Sequence, residues 1–337
     1  MQNKVLILLI CGISCVSAVH SQAKKATISF APVVDTPKVK KPLSIAEKIK
    51  SSKKTEGLFT LYQDTVSGNL QLFIKKDQLG KEFIYQSFSL SGPVSLFLNQ
   101  SMHRMNFVFK ISKSFDKLEF TRLSTSFYYD PANPISKTKD VDKAEAVFYS
   151  DKLSGEDSTG YLINADQLFI SEKMDPVKPA SVPSFFAPLS FSLGNLNTTK
   201  SKYFQVRSFP KNTDILVDMA YDNPSAVISG PDITDPRYVR IRVQHSFIEM
   251  PDNDFVARKD DARIGYFTQQ TTDQTSISPV PYKDKINHWF LKKKDPSEAL
   301  SEPVEPIVFW IENTTTVEYR QTIMEAWLKW NEAFEKD

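Results

Sequence analysis

Four histidines, His20, His103, His245 and His288, are the side chains of this sequence best suited to bind a transition metal. Hydrolytic zinc chemistry calls for two histidines four residues apart on a helix, so that both imidazoles share a face. A glutamate beside the first activates the metal-bound water. Here even the nearest pair, His245 and His288, is widely separated along the chain. His245 alternates with Val239, Ile241, Val243 and Phe247 on the apolar side of a strand pattern. A lone histidine there is far more often a core residue than a ligand. A catalytic zinc takes three protein ligands, so no histidine is assigned as one, and no catalytic, cofactor-binding or metal residue is expected in this chain.

Other chemistries fare no better. Both cysteines, Cys11 and Cys15, fall in the first apolar segment; if that segment is removed, thiolate sites and disulfides are excluded with it. No Gly-x-Ser-x-Gly elbow marks a nucleophilic serine, and no glycine-rich loop is present to cradle a phosphate. Acids gather at Glu249, Asp252, Asp254, Asp260 and Asp261. A calcium site is one reading, because hard cations take several carboxylate oxygens. The EF-hand spacing is absent, and a solvated loop with Asx turns around Pro251 is preferred. Glycosylation-type triplets begin at Asn99, Asn197 and Asn313, but so short a motif recurs by chance.

The elements that would position any site follow from patterning. With 337 residues, 41% hydrophobic and 24% charged, the chain is long enough for a sizeable core and has a globular composition. A formal charge of +2 gives no global pull toward nucleic acid, and no nucleic-acid partner is expected. Residues 1–23 read as a signal peptide: Lys4, an apolar run from Val5 to about Val16, then small residues with candidate cuts after Ala18 or Ala23. The chain is therefore expected to be exported, whether periplasmic, outer-membrane-associated or extracellular. A lipid anchor on Cys15 is the less favoured variant, because Gly12 fits that signal poorly. No later run is long and apolar enough for a transmembrane helix. Residues 24–56 are rich in Lys and Pro and read as a linker with a short helix at Ser44–Lys50.

From Gly57 onward the period becomes two, which predicts a β-rich domain over 57–275. Leu70, Leu72 and Ile74, a Gly-containing turn, and Glu82–Ser87 suggest a hairpin. Met105, Phe107, Phe109 and Ile111 would pair with Lys117–Thr121. Further strands are expected at Tyr203–Ser208, Asp214–Tyr221 and Tyr238–Phe247, and a helix near Val141–Leu153. Ser124–Lys139 and Met174–Leu193 read as loops. After a connection over 276–302, Pro306–Ile311 is a continuous apolar run of the kind found in strands buried on both faces. It leads into a helix that Thr315 and Glu318 would cap, with Ile323, Trp327, Trp330 and Phe334 on one face.

Two stretches resemble a known family. One is Gly57–Asp64 followed by Phe73–Glu82. The other is Gln244–Phe255, Arg263–Phe267, Asp295 and Glu302–Asn313. They are similar to the exported zinc-dependent metalloproteases of Bacteroidetes, in which uncharacterised N-terminal domains precede a metzincin-like catalytic domain. Arg320, Ile323, Ala326 and Trp330 occupy positions like those of the opening helix of such a catalytic domain. Ala262 departs from the proline expected of the family. The resemblance implies an α+β fold: a mostly antiparallel, β-dominated N-terminal domain, then over 303–337 the first strand and helix of an incomplete metzincin-like catalytic domain. It implies zinc as the cofactor of full-length members, with peptide or protein substrates. The partner of this chain would be the missing C-terminal catalytic region, with its zinc ligands. On this expectation the chain is the inactive front part of a metallopeptidase. The alternative is a self-sufficient exported binding or chaperone-like module. A minor further reading of Asp260 and Asp261 has one of them capping the zinc of a full-length relative; an ordinary interdomain connection is preferred.

Overall fold

Alternating side chains set the architecture of the computed structural model, which describes residues 44–141, 143–178 and 191–335. Strands are numbered in chain order. The first sheet runs β1 (Ser52–Thr55), β2 (Thr60–Asp64), β3 (Leu70–Lys75), β10 (Gly160–Asn164), β9 (Gly155–Glu156). The second runs β11 (Asn195–Leu196), β13 (Asn212–Asp222), β14 (Tyr238–Glu249), β4 (Glu82–Ser91), β5 (Met102–Ser114), β6 (Lys117–Arg122), β8 (Ala146–Lys152), and β12 (Lys202–Phe209) also pairs with β13. A small third sheet joins β16 (Tyr282–Ile286), β15 (Thr268–Asp273) and β7 (Phe127–Tyr128). Among the described residues every pairing is antiparallel except β7 with β15. The fold is thus β-dominated and mostly antiparallel, as expected. Short helices α1 (Ile45–Lys48) and α2 (Asp166–Phe169) accompany the sheets, and α3 (Val317–Leu328) and α4 (Asn331–Phe334) follow them.

The two larger sheets meet at both margins, so their inner faces enclose one core. At one margin Ser154 N–H donates to the Leu162 carbonyl (2.7 Å) and Tyr149 Oη to the Asn164 carbonyl (2.9 Å). At the other, Leu58 N–H donates to the Phe209 carbonyl (2.7 Å). Backbones approach so closely there that a Cβ on Gly57 would sit 2.5 Å from Phe209 N. The core is aromatic: Phe109 packs on Phe247 at 4.9 Å, Phe59 on Phe83 at 5.0 Å and Tyr85 on Phe107 at 4.7 Å between ring centroids. Strand β14 presents Ile241, Val243, His245 and Phe247 inward, all buried, and β5 pairs with β6 as the alternation predicts.

Several expectations are corrected. Leu70–Ile74 and Glu82–Ser87 do not form a hairpin: β3 pairs with β2 and β10, whereas β4 pairs with β5 and β14. The turn between them is a corner from one sheet to the other, held where Gln78 Nε2 donates to the Leu58 carbonyl (2.6 Å) and Gly80 N–H to the Ile111 carbonyl (2.8 Å). The helix expected near Val141–Leu153 is instead β8, paired with the free edge of β6 through Phe120↔Tyr149; tertiary pairing overrides local propensity. Pro306–Ile311 has no regular secondary structure and joins no sheet among the described residues. The helix after it is capped one residue later than expected, at Thr316, with no side-chain cap bond. Strand β16 falls within the stretch expected to be connection only. The short helix at Ser44 is present as α1, with the reciprocal Ser44–Glu47 capping box. The signal segment, most of the linker and part of the Met174–Leu193 loop lie outside the described residues.

Candidate functional site

The histidines do not converge. His103 is exposed on β5 and packs edge-on to Phe88. His288 stacks on Phe255 at 4.8 Å, with Nδ1 2.9 Å from the Trp289 carbonyl. His245 is buried in β14, and Tyr85 Oη lies 2.8 Å from its Nδ1. Burial raises the Tyr85 phenol pKa, so the phenol stays protonated beside the ring. His245 Nε2 reaches no partner at hydrogen-bond geometry among the described residues. Burial holds the imidazole pKa down to about 4.

The acidic loop is likewise dispersed. Asp254 pairs with Lys292 (2.8 Å) and Asp261 with Arg263 (2.6 Å), each pairing lowering the carboxyl pKa. Among the described residues no three His, Cys, Asp or Glu side chains form a metal-ligand group. The described residues therefore hold no ligand set that fits the zinc implied by the sequence resemblance.

Beside His245 lies a polar cluster that the sequence reading missed. The pairing of Ser87 with Met105 and of Phe88 with His103 leaves Arg104 as the extra residue of a β-bulge. Its guanidinium grips Asp175 through two bonds, of 2.8 and 3.1 Å. Ser87 Oγ also donates to Asp175, at 2.9 Å. Asp175 is 1% exposed, and this fork pins the strap Met174–Lys178 across the end of the core. A signal for it existed: in β4 the inward positions are Phe83, Tyr85, Ser87 and Ser89, and serines at core positions announce buried partners. With its charges mutually satisfied, the cluster offers no free base and serves to fasten the strap.

Among the described residues a groove and an aromatic surface stand out. A groove of about 760 Å³ beside α1, β2 and β3 is lined by Ile45, Ile49, Tyr62 and Phe73 together with Lys54 and Lys75. The second surface is aromatic. Trp289 meets Phe309 edge-on (6.3 Å), and Phe309 stacks on Trp327 (4.0 Å), yet Trp310 is 91% exposed and no residue of α3 or α4 is buried.

Residues 99–294, more than half of the chain, match a family described as a domain of unknown function, DUF5117. The chain belongs to this family. The DUF5117 region begins just before β5 and ends beyond β16, so it takes in the bulge at Arg104, the Asp175 strap and His245. A curated endopolyphosphatase of Schizosaccharomyces pombe is 29% identical over 110 residues, covering 33% of this chain. The chain spans only 18% of that relative's length. No solved structure matches the chain.

Proposed function

We propose that this chain is the non-catalytic N-terminal portion of an exported, zinc-dependent metallopeptidase, and that by itself it hydrolyses no peptide. The sequence resemblance over Gly57–Glu82 and Gln244–Asn313 motivates the reading. The observation that carries it is the uncovered aromatic segment after the DUF5117 region. Pro306–Ile311 is apolar, without regular secondary structure, and outside every sheet among the described residues. The helix behind it leaves Trp327 and Trp330 at 45% and 59% exposure. Apolar surface on this scale marks an interaction site, and a strand and helix of this kind fit the opening of a catalytic domain whose remaining elements would cover them. The β-rich domain would then carry and orient that catalytic region, which would supply the zinc ligands. The groove beside α1 favours a second reading, a self-sufficient binding module.

Tryptophan emission separates the two. All four tryptophans lie at or beyond Trp289. Adding the separately produced catalytic region of a full-length relative should shift their emission to the blue as they leave water. Emission that stays unchanged while the two proteins are shown to be folded would sink the peptidase reading.

A further inference from the structure

The last buried residue among the described ones is Ile286, at 8% exposure. The described residues after it are exposed or half-exposed, and residues 291–300 are exposed without interruption. Within that stretch stand three consecutive lysines, Lys292, Lys293 and Lys294. Their backbone is held to Glu302–Val304 by an isolated bridge, with bonds from Lys294 N–H to the Glu302 carbonyl and from Val304 N–H to the Lys292 carbonyl, each 2.8 Å. The side chains are held as lightly. Lys292 meets Asp254 with both side chains more than half exposed, and Lys293 Nζ reaches the Glu298 and Ala299 carbonyls of its own loop. Exposed segments with few buried contacts open at the low end of the stability scale, and such loops are where proteases cut. Lys283 and Lys285, by contrast, sit in β16, Lys110 and Lys113 in β5, and Lys137 in a 3₁₀ turn; Lys259 is exposed and held by an isolated bridge of the same kind, but stands alone. Independently, the DUF5117 match ends at residue 294. An exposed run of three lysines thus coincides with the edge of the family match.

We propose that Lys292-Lys293-Lys294 is a processing site, at which a lysine-specific endopeptidase separates the β-rich domain from the aromatic C-terminal segment. The bond broken is the amide following one of these lysines. Water adds its hydroxyl to the lysine carbonyl carbon, and the departing nitrogen takes up the proton to become the new amino terminus. Because no described residue beyond Ile286 is buried, the cut leaves the core of the described residues whole. This inference stands apart from the peptidase reading, because it needs only the loop and the domain edge.

The test is limiting digestion of the purified full chain with lysyl endopeptidase, followed by intact mass and thermal melting. The earliest cut within the described residues should fall at Lys292–Lys294, and the product ending there should melt at the midpoint of the uncut chain and persist roughly tenfold longer than its parent. Replacing all three lysines (K292Q, K293Q, K294Q) should slow separation of the two parts roughly tenfold while leaving the midpoint unchanged. Cuts in the lysine-rich arm before Ser44 give distinct masses and are scored apart. An earliest cut at Lys137–Lys143, collapse of the core once the loop is cut, or an unchanged rate in the triple variant would each overturn the proposal.

Discussion

Acidification from pH 7 to pH 5 should loosen this fold, and His245 is the reason. In the unfolded chain its imidazole titrates near 6.5; in the folded chain burial lowers that to about 4. The folded state therefore disfavours the proton. The stability contributed by the neutral ring is fully present above pH ~6.5 and is lost as the pH falls toward 4. At about 1.4 kcal/mol per unit, the full effect is about 3 kcal/mol, of which about 2 kcal/mol is lost between pH 7 and pH 5. Asp64 and Asp273 have carboxyls held low by their hydrogen bonds, to Ser51 and to Lys283 respectively. Their contributions are lost only at lower pH, outside this window. Urea unfolding at a series of pH values reads the slope. His245→Gln keeps an acceptor for the Tyr85 phenol but cannot titrate; it should cost stability at pH 7 and flatten the slope between pH 7 and pH 5 by about 2 kcal/mol. A wild-type stability that is level across that range, or a variant that keeps the full slope, would refute the argument from burial.

Other perturbations follow from the same geometry. Asp175→Asn leaves the Arg104 guanidinium short of its buried partner and should cost about 3–5 kcal/mol in denaturant unfolding, with the strap Met174–Lys178 becoming the first region to gain protease sensitivity. Gly160→Ala would place a Cβ 2.5 Å from the Phe73 ring and 2.4 Å from the Ile74 carbonyl. That should lower stability by about 1–3 kcal/mol, and trimming Phe73 to Leu should not restore it, because the carbonyl stays in place. Trp310→Ser, at a side chain 91% exposed, should change stability by less than about 0.5 kcal/mol while reducing self-association in sedimentation at high concentration.

What could be read in the sequence was whatever a single segment decides. The inward face of β14 and the β5–β6 pair are written in strict alternation, and the Ser44–Glu47 cap of α1 in two residues three apart. The misreadings arose where the decision belonged to a distant partner. A glycine turn after Ile74 suits a hairpin and a corner equally; the choice falls to Gln78 reaching Leu58 and Gly80 reaching Ile111. Residues 141–153 have helix-compatible composition, but Tyr149 finds Phe120 across an open edge. Pro306–Ile311 has the composition of a buried strand but pairs with no strand among the described residues. The Arg104–Asp175 fork needed a bulge, and no local pattern announces a bulge. As for the site, the pairing of His245 with Tyr85 required the register of β4 on β14.

The most direct test of the central claim is a combined assay on the purified chain: elemental analysis for zinc, and hydrolysis of a peptide library with and without a chelator. The account predicts no stoichiometric zinc and no chelator-sensitive cleavage, with the thermal midpoint unmoved by the chelator. One tightly bound zinc per chain together with chelator-sensitive hydrolysis would contradict it.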